Sequence, residues 1–301
     1  MAAPTCSSLA RAAQEPPAGT ASHAMGYLVI EQPGSWGRDA VASRLDADLV
    51  ARLTARAEDA DVKVLLARRP GPHPAQVRER VEVLLAHAGP TPWLERCQLT
   101  GEELHRLDPA LCAAAQPPGR GTRLAEPRWL VCTHARRDRC CATRGRPIAD
   151  TLAAIDPDGT WESSHLGGHR FAGTLLVLPH GLVYGNLDVV TAMQVVVAQR
   201  DGRVVTEHLR GRSRLPRVAQ VAEVAARRAL ALDGLDDVEV TDLPVTDPEP
   251  EGPPVQVVVT AGTRRVQVRV AARTEAARPI SCEGAAKRLA VLHPVSVEVI
   301  G

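Results

Sequence analysis

The sequence predicts an α/β protein made of two small α/β units in tandem and a β-rich tail. Three observations predict it. The chain has 301 residues, enough for two domains of ordinary size and a short extension. Segments of strand and helix character follow the order β-α-β-β-β-α and then roughly repeat it. Past a proline-rich stretch near residue 250, apolar and polar residues alternate around turn residues. The expected units are 1–118, 119–235 and 236–301.

In the first unit, GYLVIE at 26–31 reads as a buried strand closed by the turn residues Pro33 and Gly34. Residues 43–58 have helical spacing, with Leu45, Leu49 and Leu53 on one face. KVLLA at 63–67, VEVLLA at 81–86 and the stretch 93–99 read as strands. Residues 101–114 read as a helix, against which Pro109 is a local objection. The Pro- and Gly-rich stretch 115–123 is a linker.

In the second unit, RWLVC at 128–132 is a strand and a helix is expected at 147–155. Strands follow near Trp161, at 174–178 and at 182–184. Residues 188–199 fit either a helix or a strand, and 216–231 form an amphipathic helix opened by proline. YLVIEQ at 27 and WLVCTH at 129 occupy matching places, which motivates the duplication. A single continuous sheet through both halves would refute it. After the acidic, proline-rich stretch 244–254, strands at 255–260 and 265–271 flank a hairpin turn at Gly262. A helix near 284–291 and a last strand at 295–300 complete the tail.

Composition excludes several classes. Lys+Arg is 36 against Asp+Glu 35, a net charge of +1, so no strong field recruits nucleic acid or a membrane surface. Lys63 and Lys287 are the lysines, and arginine supplies the rest. Aromatic residues make up 2%, so cores are built from Val, Leu and Ala. Seven cysteines in a chain of this length do not form a disulfide scaffold. With no apolar run of membrane-spanning length and no leader-like start, a cytoplasmic location with reduced thiols is expected.

Reactive side chains concentrate between 132 and 188. One cluster holds Cys132, His134, Arg137, Asp138, Cys140 and Cys141; the next holds Trp161, His165, His169 and Phe171. Thiolates suit zinc or iron–sulfur centres, and imidazole suits either. Gly167 and Gly168, between the histidines, allow the backbone to approach a bulky group. Seven or eight residues separate Cys132 from the Cys140–Cys141 pair, too long a loop for a compact zinc knuckle. The matching place in the first unit offers Glu31 and Gln32 and no such cluster.

The segments VCTHARRDRCC, WESSHLGGHRFAG and LPHGLVYG closely resemble the signature segments of the sucrase/ferredoxin-like family. The resemblance extends from CSSLARAAQEPPAGTA at 6–21 through EQPGSWG to RGRS at 210–213. It implies thioredoxin-like, ferredoxin-type domains and a 2Fe–2S cluster bound by two cysteines and two histidines. Carried over by position, the ligands are Cys132, one of the Cys140–Cys141 pair, His165 and His169. The family's eight-residue spacing after the first cysteine favours Cys141 over Cys140. The function it implies is electron transfer, with histidine ligation raising the potential. A glycosidase would need two poised carboxylates, which nothing here singles out.

Two other functions compete. A zinc-binding structural or interaction module would use the same ligands. A thioredoxin-type thiol oxidoreductase would need Cys-x-x-Cys, which the sequence lacks. Gly-x-Gly-x-x-Gly is also missing, so a separate NAD(P)H-dependent reductase or other redox protein is the expected partner. His134 is expected beside the site, Arg137 and Asp138 as a loop ion pair, and Cys6, Cys97, Cys112 and Cys282 as structural residues.

Overall fold

A computed structural model describes residues 4–72, 79–242, 244 and 246–301. The chain opens with α1 (Cys6–Ala12), capped by the Thr5 hydroxyl. β1 (Gly26–Glu31) is buried along its whole length. Asp39 and Asp46 then cap α2 (Ala40–Arg44) and α3 (Ala47–Asp59). Three strands follow: β2 (Val62–Arg68), β3 (Arg80–His87) and β4 (Trp93–Thr100). The expected helix at 101–114 divides at Leu107 into α4 (Gly101–Arg106) and a 3-10 turn, Pro109–Ala113. Pro109 cannot continue a helix but opens a new turn, which Asp108 caps.

β5 (Thr122–Arg123) adds to the edge of β4. The second half begins with β6 (Arg128–Cys132), α5 (Arg139–Ile155) and β7 (Thr160–Ser163). β8 (Leu175–Leu178) and β9 (Leu182–Tyr184) follow, then α6 (Val189–Arg200), β10 (Leu209–Arg212) and α7 (Arg217–Leu230). Residues 188–199, which fitted either state, are therefore helical. α5 starts eight residues before the expected 147 and carries Pro147 inside it. Gly145 and Pro147 read as helix breakers, yet Gly145 is there for close packing. A Cβ on it would lie 2.1 Å from the Cys132 carbonyl oxygen, so glycine lets α5 approach the end of β6.

Strand pairing repeats between the halves. β1 pairs parallel with β2 and antiparallel with β3, and β3 pairs with β4. β6 likewise pairs parallel with β7 and antiparallel with β8, and β8 pairs with β9. The halves do not form separate sheets, however. β2 and β7 join antiparallel through Ala67↔Ser163 and Arg68↔Glu162, giving one sheet of ten strands in the order β10-β9-β8-β6-β7-β2-β1-β3-β4-β5. This is the outcome that counts against two independent tandem domains. Each half would otherwise expose an outer strand with unpaired backbone groups, and joining them pairs the ends of both edges.

The sheet curls so that one face forms a core shared by both halves, including Val29, Leu65, Leu84, Leu130 and Leu176. The other face is covered by α3 in the first half and by α5 and α6 in the second. The tail forms an antiparallel sheet of β11 (Val238–Asp242), β12 (Val255–Ala261), β13 (Arg264–Thr274) and a final strand. Between them lies the small ribbon β14 (Arg278–Pro279) and β15 (Ala286–Lys287), and the final strand is β16 (Ala290–Val299). α7 packs its apolar face on this sheet through Val218, Val221 and Ala222. The expected helix at 284–291 is thus corrected to strand. Lys287 pairs with Arg278 and Ala290 with Thr274, so the backbone bonds of this stretch go to neighbouring strands. Among the described residues, no helix is long and apolar enough to cross a membrane.

Candidate metal centre

The site forms where β6 and β7 end side by side. Cys132 closes β6 and lies level with Ser163 in the parallel register. Asp138 caps α5, its Oδ1 accepting from the Cys140 N–H at 2.9 Å, and this places Cys141 in the first turn, facing back to the strand end. The loop after β7 brings in His165. Its Nδ1 lies 3.9 Å from the Cys132 sulfur and 3.8 Å from the Cys141 sulfur. The ligand atoms of Cys132, Cys141 and His165 all lie within 4.8 Å of one another. His169 stacks on His165, ring centroids 5.1 Å apart, outside that tight group. Its Nδ1 is buried without a hydrogen-bond partner among the described residues.

Gly168 shapes this loop. It takes a left-handed conformation (φ 64°), and a Cβ there would meet the Arg210 guanidinium at 2.4 Å. Arg210 is fully buried and holds the loop by donating to the Gly167 carbonyl at 3.0 Å and to the Thr20 hydroxyl at 2.9 Å. Burial and Arg170 push the Arg210 guanidinium down to about 10, while Cys132 pulls it up. Lys63 donates to the Leu166 carbonyl at 3.4 Å and is lowered to about 8 by burial and by Arg210. Two cations are thus held close to the sulfurs.

The two thiols share one proton-bearing contact beside His165. The Cys141 thiol donates to Cys132, and with His165 and the Leu166 N–H it holds Cys132 well below the usual thiol range despite burial. Cys141, as donor and buried, is raised. Burial and the neighbouring His165 lower His169, which favours its neutral, metal-binding form. Cys132, Cys141 and Trp161 share the buried core beneath the site, and the Arg69 guanidinium covers the Trp161 ring at 3.6 Å. Thr133 Oγ1 and Ser163 Oγ, beside Cys132, are buried with no partner among the described residues.

Cys140 points elsewhere. Its sulfur lies 3.5 Å from Cys6, 3.2 Å from Cys282 and 3.2 Å from the Ser7 hydroxyl. With Asp138 these cysteines form a second group whose potential ligand atoms lie within 4.8 Å of one another. Asp138 therefore acts as helix cap and partner of this group; its Oδ2 accepts from the Cys282 N–H at 2.8 Å. His134 is buried, and its Nε2 meets the Gly37 carbonyl at 2.6 Å. Cys97 and Cys112 lie in the first-half core. None of the seven cysteines forms a disulfide.

Sequence reading missed Cys6 and Cys282 as partners of Cys140, and it gave Lys63 and Arg210 no role. Cys6 and Arg210 both lie in segments that carry the family resemblance, CSSLARAAQEPPAGTA and RGRS. Their roles need the fold, since Cys6 and Cys282 are 276 residues apart. No curated protein and no solved structure matches the chain. The sucrase/ferredoxin-like family model matches residues 17–211, which include Cys132, Cys141, His165 and His169. With nearly two-thirds of its length matched, the chain belongs to the sucrase/ferredoxin-like family.

Proposed function

We propose that the chain is an electron-transfer protein whose second half holds a 2Fe–2S cluster on Cys132, Cys141, His165 and His169, each half being a thioredoxin-like unit. The carrying observation is the convergence of two thiols and an imidazole within 4.8 Å, with a second imidazole stacked alongside. Mixed cysteine and histidine donors fit such a cluster, and the buried Nδ1 of His169, without a hydrogen-bond partner among the described residues, has the chemistry of a ligand atom. The bound cluster would supply one-electron transfer at a potential raised by histidine ligation.

The chain's own residues set the surroundings. Trp161 and the shared core exclude water from the sulfur side. The Thr133 and Ser163 hydroxyls are available to donate to sulfur, which tunes potential. Lys63 and Arg210 offset negative charge on the thiolates. Beside His165 opens a cleft of about 260 Å³ lined by Arg38, Lys63, His134 and Arg137, with Asp39 as its acidic member. The half-exposed His165 is the exit towards solvent, and the basic lining suits an acidic redox partner, such as a separate NAD(P)H-dependent reductase.

Anaerobic purification followed by iron and acid-labile sulfide analysis tests this reading. The expected result is brown protein with two irons and two sulfides per chain, bleached by dithionite. Colourless protein with a metal on Cys132 and Cys141 but no sulfide would overturn it.

A further inference from the structure

The second thiol group lies outside the cluster ligands, and the proposed electron-transfer role makes no use of it. Cys6 comes from α1, Cys140 from the first turn of α5, and Cys282 from the loop between β14 and β15. Their three sulfur–sulfur distances are 3.5, 3.2 and 3.7 Å. Three thiolates on one tetrahedral zinc stand about 3.8 Å apart, given Zn–S bonds of about 2.3 Å. The triangle is therefore a few tenths of an ångström smaller than a zinc-filled one. Both Asp138 carboxylate oxygens lie 3.8 Å from the Cys6 sulfur, and the carboxylate stands within 4.8 Å of the other two thiols.

We propose that Cys6, Cys140, Cys282 and Asp138 form a structural zinc site, separate from the cluster on Cys132 and Cys141. The donor set selects the ion. Three thiolates favour a soft or borderline metal, and a carboxylate as the fourth donor lies within zinc's ligand range. Four protein ligands leave no open position, as in a structural site.

Hydrogen-bond donors surround two of the three sulfurs. The Ser7 N–H and hydroxyl both donate to Cys140. The Cys6 N–H and the Arg139 side chain donate to Cys282. Metal-bound thiolates accept such bonds well, whereas neutral thiols are weak acceptors. The Cys140 and Cys282 N–H groups fix Asp138 at 2.9 and 2.8 Å, leaving each carboxylate oxygen a further lone pair. Cys6 and Cys140 are buried and Cys282 is partly exposed, so the ion has an entry path. Binding displaces three thiol protons to solvent and changes no oxidation state.

The site would staple both chain ends to the helix that carries Cys141. Cys140 stands 134 residues from Cys6 and 142 from Cys282. It would hold the N-terminal helix and the tail loop against the first turn of α5, one residue from a cluster ligand.

Zinc analysis and zinc-edge X-ray absorption on the full chain, purified anaerobically without chelator, test the site. One zinc per chain with three sulfurs at about 2.3 Å and one oxygen is expected. Cys282→Ser and Cys6→Ser should each lose that zinc, and Cys132→Ser should keep it. Trace zinc in the unmodified chain, or a Cys140–Cys282 disulfide under anaerobic conditions, would overturn the proposal. Zinc kept in Cys282→Ser but lost in Cys132→Ser would place it at the first site and overturn both readings. Zinc as expected, in protein without iron or sulfide, would refute the cluster alone.

Discussion

In the first half-sheet the leading strand β1 ends in Glu31; in the second, β6 ends in Cys132. Pairing around these strands is the same, yet the loops that follow diverge. After β1 the chain folds Trp36 back, its Nε1 donating to the Gln32 carbonyl at 3.1 Å, and packs it into the first-half core. After β6 the chain turns through His134 to Asp138 and starts a helix with Cys140 and Cys141. The first loop also serves the second. Gly37 meets His134, and Trp36 lies edge-on to the His134 ring at 5.7 Å. One half carries the candidate ligands while the other packs beside them, so strand order alone does not make a site.

The largest effect should separate the halves outright. Cys132→Ser and Cys141→Ser are expected to lose nearly all visible absorption of the purified protein. Cys97→Ala, which changes a core cysteine of the first half, should keep it. Cys140→Ser should also retain the colour while losing zinc. If Cys97→Ala bleaches the protein as fully as Cys132→Ser, the division of labour is wrong.

The seam comes next. Arg68 and Glu162 are buried and pair at 2.6 Å across β2 and β7, just before the His165 loop. Removing one partner leaves an uncompensated buried charge, so Arg68→Ala should cost about 3–5 kcal/mol. Denaturant unfolding checks this. A loss under about 1 kcal/mol, the scale of an exposed pair, would mean that the halves do not depend on this contact.

A smaller effect is expected in the histidine loop. Gly168→Ala places a side chain in left-handed backbone against Arg210, at a cost of about 1–2 kcal/mol before any shift of the guanidinium. Thermal melts should fall, and the histidine-dependent spectrum should change with them. A variant with unaltered melting and spectrum would remove Arg210 from the account of the loop.

The smallest effect concerns acid. Burial opposes ionisation of Asp156, but bonds from Trp129, the Gly159 N–H and Arg200 outweigh it and hold this carboxyl below the usual range. A group depressed on folding stabilises above its unfolded pKa, about 3.9, and that stability is lost as pH falls through the lower folded value. Asp156 ends α5, whereas α3 in the first half ends at Ala60. Acid should therefore loosen the end of α5, and Asp156→Asn should flatten the acid limb of a stability–pH curve. An unchanged limb would contradict this.

Strands were the most legible part of the fold, because buried runs such as GYLVIE and RWLVC announce themselves by composition. The beginning of α5 was not legible, since Gly145 and Pro147 resemble breakers until the approach to Cys132 explains the glycine. The seam was also hidden, as β2–β7 pairing rests on two residue pairs with no local signature. At the site, SHLGGHRFAG and the paired cysteines pointed to Cys132, His165 and His169, and the family's spacing favoured Cys141 over Cys140. In the structure Cys141 faces His165 and Cys140 faces Cys6 and Cys282. That separation comes from helix phase, which residue spacing alone does not show.

Pulsed electron paramagnetic resonance on the dithionite-reduced protein reads histidine ligation in the second half. A signal from a one-electron-reduced cluster is expected, with nitrogen couplings from two imidazoles, one of them lost in His169→Cys. A signal without nitrogen coupling, or no paramagnetic signal from iron-loaded protein, would contradict histidine ligation in the second half.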